Sequence, residues 1–276
     1  MRVIALLVVV SAGAGAAERP RIEWKELQAG VSYATIRIAE KPDYGDGLLH
    51  VVRVDPAVAP IRAHATSLDR AEAKTAAEWA KGKNLSVVIN AGMFDVVDHR
   101  THSGYFRIGD HTNSSRWVKS YKSALLVSRA DQAPSARLID LDGDEVPELS
   151  ESGVVAQNLR LIKAPGSNVW VENGKQWSEA AIAMTSGGDI LFVFSRTPFT
   201  MHEFNAKLLA LGMGVVSAMH AEGGPEASLS IHAGGVDLDL CGSYETGFMA
   251  NDENHQQWPI PNVIGVERAR AKKTGR

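Results

Sequence analysis

The sequence predicts an α+β fold: a single domain with a mixed, largely antiparallel sheet and a few packed helices. Three observations predict it. Most apolar segments alternate with period two and are joined by short turns rich in Gly, Asp and Ser, the pattern of hairpins. Two units instead run helix, glycine, strand, and each leaves its strand through a Gly-containing loop that carries an acid. No low-complexity linker divides the chain.

Taken in order, "VSYATIRIAE" and "LLHVVRVDP" alternate like half-buried strands around the turn-rich "KPDYGDG". A helix is expected from Leu68 to Lys81, with Thr66 or Ser67 as cap and Gly82 past its end. The strand Leu85 to Ile89 follows and leads into "NAGMFD". Hairpins are expected in "SALLVSRADQAPSARLIDLD" and in "AAIAMTSGGDILFVFSRT", the latter turning at Ser186-Gly187-Gly188-Asp189. A second helix starts at the capping box Thr200-Met201-His202-Glu203, buries Phe204, Leu208, Leu209 and Leu211, and stops at Gly212. The run Gly214 to Met219 reads as a buried strand, followed by the hairpin "SLSIHAGGVDLDL".

Composition bounds the function classes. The 276 residues open with one arginine, an aliphatic run from Val3 to Val10 and a small-residue tract to Ala17. Those are the three parts of a secretory signal peptide, so residues 1–17 are expected to be a leader and 18–276 an exported domain, periplasmic or secreted. No second apolar stretch suggests an integral membrane span. A net charge of −3 with both signs mixed advertises no nucleic-acid or membrane surface. The basic tail from Arg268 to Arg276 reads as a frayed terminus. Cys241 is the single cysteine, so no internal disulfide forms; in "DLDLCG" it reads as a buried, inert thiol. Oligomeric state is not legible.

The segment "HAEGGPEASL", His220 to Leu229, raises the functional question. A buried strand leaves through two glycines, a proline and two glutamates, where an ordinary connection needs one turn residue. Gly92, Gly223 and Gly224 let the backbone approach a ligand closely, and ligands of such units sit beyond the carboxyl ends of the strands. Glu222 and Asp95 would then converge on one pocket, the minimum equipment for glycoside cleavage or general acid–base chemistry. His220 lies two residues before Glu222 and shares its face in an extended segment. On spacing alone, both loops also read as tight turns whose acids are solvated or cap nearby N–H groups. The His/Asp-rich "DVVDHRTHSGYFRIGDH" lacks the helical spacing of a metal site and reads as a polar loop, with His102 or His99 as phosphate contact or proton shuttle. "DLDGDEVPE" only partly follows a calcium-loop pattern and reads as a hairpin turn. "GSYETGFMANDENHQQWP" reads either as an aromatic rim over the pocket or as a pinned surface loop.

In order along the chain, "VVINAGMFD", "SGYFRIGD", "AQNLRLIK", "MHAEGGPEASL" and "WPIPNVIGV" resemble the successive motifs of the phosphodiester glycosidase family, over about Asn84 to Val266. Carried over by position, Asn90, Gly92 and Phe94 match the first motif, with Ala91 in place of a glycine. Gln157 matches the glutamine of the third, and Glu222, Gly223 and Gly224 match an Asp-Gly-Gly. Pro225 and Glu226 stand where glycine and serine are usual, Ser228 falls at a hydroxyl position, and Glu179 stands near the usual arginine.

The resemblance implies hydrolysis of the glycosidic bond of a sugar-1-phosphodiester or related acidic glycan, without cofactor. Glu222 and Asp95 would be the carboxylates and Asn90, Gln157 and Ser228 the polar positioning groups. Arg107, Arg116, Lys119 or Arg160 would supply the cation that Glu179 does not. Two alternatives stay open: a non-catalytic binder of glycan or sugar phosphate, and a metal-dependent phosphodiesterase using the His/Asp loop.

Overall fold

The computed structural model describes residues 21–142 and 151–269. The leader, most of the basic tail and residues 143–148 of the calcium-like stretch lie outside them. The first part of the chain forms β1 (Lys25–Gln28), β2 (Val31–Arg37), β3 (Leu48–Val54) and β4 (Ile61–Ala65). Two short helices, α1 (Thr66–Asp69) and α2 (Ala76–Lys83), precede β5 (Leu85–Asn90). The middle carries β6 (Phe106–Ile108), β7 (His111–Ser114), β8 (Ser123–Val127), β9 (Ala136–Asp140) and β10 (Val154–Asn158). Then come β11 (Arg160–Lys163), β12 (Ser167–Asn168), β13 (Gln176–Thr185) and β14 (Ile190–Thr200). The last part holds α3 (Met201–Ala210), β15 (Val215–Gly223), β16 (Ser228–Ala233), β17 (Val236–Cys241) and β18 (Asn262–Glu267).

These strands make three sheets, ordered β1-β2-β3-β14-β13-β15-β11-β12, β7-β6-β10-β8-β9 and β17-β16-β5-β18-β4. Side-chain alternation explains why all three are needed. On β14, Ile190, Phe192 and Phe194 join a core shared by all three sheets, with Ile89 of β5, Leu229 of β16 and Phe106 of β6. The intervening Leu191 and Val193 face the other way, onto Phe204 and Leu208 of α3. β5 does the same: Val87 and Ile89 enter the shared core, while Leu85 and Val88 pack on Trp79 of α2. Period-two burial on both faces turns these segments into continuous apolar runs.

Four expectations are corrected. The sheet is not mixed: every strand pair among the described residues is antiparallel, with 46% strand and 11% helix. The two helix–glycine–strand units lie in different sheets, and their strands β5 and β15 pair only with antiparallel neighbours, so neither makes a parallel crossover. The helix expected from Leu68 to Lys81 is two helices. Arg70 turns left-handed (φ 53°) and ends α1, Lys74 pairs with Ile260, and Thr75 restarts the helix through a capping box with Glu78. Its end is the left-handed Asn84 rather than Gly82. Finally, the strand read as ending at Met219 continues to Gly223, carrying His220 and Glu222 within it.

Candidate active site

A cleft of about 510 Å³ opens beyond the end of β15. Its walls come from the loop after β5 (Met93, Phe94), from Trp177 of β13, from His220, Glu222 and Gly223 of β15, and from Glu226. Glu245 and Phe248, in the loop after β17, close the far side. The segments around residues 92 and 223 therefore meet. Asn90 joins them: its amide donates to the Glu226 carbonyl (3.0 Å) and its oxygen accepts from Ser228 N–H (2.8 Å).

Local backbone needs explain the glycine pair. At β15, one step of β13 from Ala181 to Ala180 spans two residues, from His220 to Glu222, a bulge that re-aims the strand end. A β-carbon on Gly223 would lie 2.7 Å from the Trp177 ring. Gly224 has φ +63°, and a β-carbon there would lie 2.5 Å from Glu245 Oε2. The two glycines thus let an indole and a carboxylate come down onto the main chain. Pro225 sits in the 3-10 turn that brings Glu226 back to the cleft.

The electrostatics are those of crowded, dehydrated acids. Glu222 is partly buried and accepts one N–H, from Gly223 (3.1 Å). Burial, helped by Glu226 and opposed by His220, pushes its carboxyl up to about 8. Burial, with the field of Glu245, pushes Glu226 up to about 7. Glu245 is also raised by burial, against the pull of His220.

Behind these acids stands a buried pair. His220 Nδ1 lies 2.8 and 3.0 Å from the two oxygens of Glu179, and Trp177 Nε1 donates to Glu179 (2.6 Å). Burial alone would lower the imidazole. The Glu179 charge and hydrogen bond, with Glu222 and Glu245 beyond, hold it above its ordinary value. Burial raises Glu179, while the His220 charge and hydrogen bonds from His220 and Trp177 pull it down.

Several expected site residues have other work. Asp95 is exposed and absent from the cleft wall; its Oδ1 accepts the N–H groups of Val97 (2.7 Å) and Asp98 (3.3 Å), closing its own turn. Gln157 is 0% exposed: it donates to the carbonyls of Val118 and Tyr121 and accepts from Tyr105 and Val118 N–H. It ties Tyr105 to the Val118–Tyr121 turn and has nothing left for substrate. Ser228, fully buried, gives its hydroxyl to the Glu226 carbonyl. Gly92 is needed because a side chain there would collide with His102. His102 is buried, its Nδ1 accepts from Gly104 N–H (3.0 Å), and burial drives it down to about 4, so it is neutral and shuttles no proton at neutral pH.

No lysine or arginine is found among the residues lining the cleft. Arg107 is tied to the carbonyls of Gly109 and Ser152, and Arg160 to Asp140 and Asp142 (2.6 and 2.8 Å). Arg116 and Lys119 are exposed outside the lining, although the fields of Arg116 and Glu222 both reach Tyr121. Sequence reasoning reached Glu222, His220, Phe94 and the glycines. It missed Glu245, Trp177 and Glu226 as lining groups, and the partnership of Glu179 with His220. An acid inside the aromatic loop "GSYETGFMANDENHQQWP", the segment read as a rim, was the available signal for Glu245. Cys241 is buried, as expected, and burial raises its thiol despite the nearby Arg196 guanidinium.

The comparisons agree with this placement of elements. A crystal structure of a hypothetical protein from Synechocystis superposes with a TM-score of 0.57 at 16% identity, over 91% of this chain and 64% of that one, so this chain spans less than two thirds of that protein. The zebrafish N-acetylglucosamine-1-phosphodiester alpha-N-acetylglucosaminidase catalytic domain, auto-inhibited by its pro-peptide, gives 0.56 at 12% identity, over 90% and 88%. At such identities the likeness is one of fold. No curated protein matches the sequence. The phosphodiester glycosidase family model matches residues 83–267, two thirds of the chain and all of the cleft-forming segments named above, and the chain belongs to that family.

Proposed function

We propose that the protein is an exported hydrolase that cleaves a glycosidic bond in this cleft, with Glu222 and Glu245 as the working carboxyl groups. Glu222 acts as the acid: it gives its proton to the oxygen of the leaving group as the bond from the anomeric carbon breaks. Glu245, more open to solvent and across Gly224 from it, supplies the carboxylate for the anomeric carbon, either as base for the attacking water or as nucleophile. His220 takes hydroxyl contacts, and Glu179 fixes its ring. The observation that carries the reading is the carboxyl of Glu222, lining a cleft beside two further glutamates and raised by burial to about 8. Two carboxyl groups with different environments are the requirement of acid-catalysed glycoside cleavage.

The phosphodiesterase alternative loses support because Asp95 and Asp98 are occupied by N–H groups of their own loop and His102 is buried. A panel of glycosides and sugar-1-phosphodiesters with product analysis tests the proposal. Release of a free reducing sugar, abolished by Glu222→Gln in a folded variant, supports it. Cleavage at a P–O bond, or binding without turnover across the panel, overturns it. Detection of the mature chain, starting near residue 18, in a periplasmic or culture fraction tests export.

A further inference from the structure

The charge of the cleft points away from an anionic occupant. Its three carboxyl groups stand on three separate supports: Glu222 on β15, Glu226 on the turn that follows, and Glu245 on the loop after β17. Facing them is one basic group, His220, which is already paired with Glu179. His220 is 4% exposed; its Nδ1 is committed to Glu179, and Nε2, on the cleft side, has no hydrogen-bond partner among the described residues. A built polar site therefore awaits a ligand with hydroxyl groups for His220 and positive charge for the acids.

We infer that the cleft selects a sugar carrying a free ammonium group, held among Glu222, Glu226 and Glu245, rather than a phosphorylated one. The inference rests on the cleft being the sugar site proposed above. An ammonium presents three N–H donors and no acceptor, matching carboxylates that have few protein donors of their own. No arginine or lysine is among the groups lining the cleft, and burial favours the protonated form of each of its three acids. A cationic ligand offsets the charge of Glu226 and Glu245 while Glu222 keeps its proton, whereas a phosphate would enter against the same field with no lining cation to receive it. The faces of Phe94, Trp177 and Phe248 supply the apolar wall that sugar C–H groups and a nearby cation both favour.

The test is titration calorimetry on the full mature chain at neutral pH with glucosamine, galactosamine, their N-acetyl forms, and the N-acetyl 1-phosphates. At least one amine should bind tighter than its N-acetyl form by about tenfold or more, with the phosphate weakest. Glu245→Gln should lose most of that preference, read as the ratio of amine to N-acetyl affinity, and its unliganded Tm checks the fold; if the variant does not fold, the wild-type series decides alone. Equal binding of amine and acetamide, tighter binding of phosphate than of amine, or no binding of either amine overturns the inference. Because binding is read without turnover, the two claims fail separately. Amine-selective binding with no hydrolysis of any glycoside retires the hydrolase reading alone; hydrolysis of a sugar-1-phosphodiester with no amine preference retires this one alone.

Discussion

Glu222 and Asp95 are a natural experiment within one molecule. Both follow a helix–glycine–strand unit, both sit beside glycines, and from sequence both read as catalytic carboxylates. Asp95 is short and exposed, and its oxygen caps two N–H groups of its own turn. Glu222 is one methylene longer and leans from a bulged strand into a cleft where it accepts a single N–H and faces other acids. The first carboxylate is satisfied by its neighbours in sequence; the second is left with a proton to hold. An acid satisfied locally builds a loop, and an acid left unsatisfied and buried is available for chemistry.

Variants that break this contrast have graded effects. Glu222→Gln keeps shape and removes the proton donor, so kcat/KM should fall by about 10²–10⁴-fold in a steady-state assay. Asp95→Asn keeps the turn, because an amide oxygen accepts the same N–H groups, and kcat/KM should stay at the wild-type level. Glu179→Ala leaves the His220 imidazole buried without its partner, and urea unfolding should show a loss of about 3–5 kcal/mol. Gln157→Leu should cost about 1–3 kcal/mol through the main-chain groups it leaves unmet, with KM unchanged because no substrate contact is removed. Gly224→Ala forces a side chain into a left-handed position against Glu245; a cost of about 1–2 kcal/mol is expected, with a fall in kcat as Glu245 is displaced.

The same contrast explains what was legible. Hairpins announce themselves locally: Ser186-Gly187-Gly188-Asp189 between alternating apolar runs could only turn, and β13 and β14 pair there as read. The break between α1 and α2 was hidden, because Arg70 turns left-handed to close α1 and Lys74 exchanges main-chain bonds with the distant Ile260, neither of which their own propensities announce. Glu222, Gly223 and Gly224 stood out as an unneeded expense of turn residues at a strand end. Glu245 did not, since its loop is held at the cleft by bonds to a distant strand, Ser178 N–H to the Tyr244 carbonyl and Thr246 N–H to the Gln176 carbonyl. Asn90, Gln157 and Ser228 had the polarity of substrate contacts, and sequence cannot distinguish a side chain that holds a sugar from one that holds main chain. Glu179 was visible as a departure in charge, while its partner, 41 residues away, was not.

The most direct measurement is the pH dependence of kcat/KM for the wild type and Asp95→Asn on a hydrolysed glycoside. Glu222 must be protonated to act, and its carboxyl is raised to about 8, so activity should fall as pH rises through that value. Glu245 must be ionised and is also raised, so the acid limb should lie above the ordinary glutamate range. Two superimposable bells with an alkaline limb near about 8 are the predicted result. Loss of that limb in Asp95→Asn, or a wild-type profile with no alkaline limb in that region, would contradict the assignment of the chemistry to Glu222.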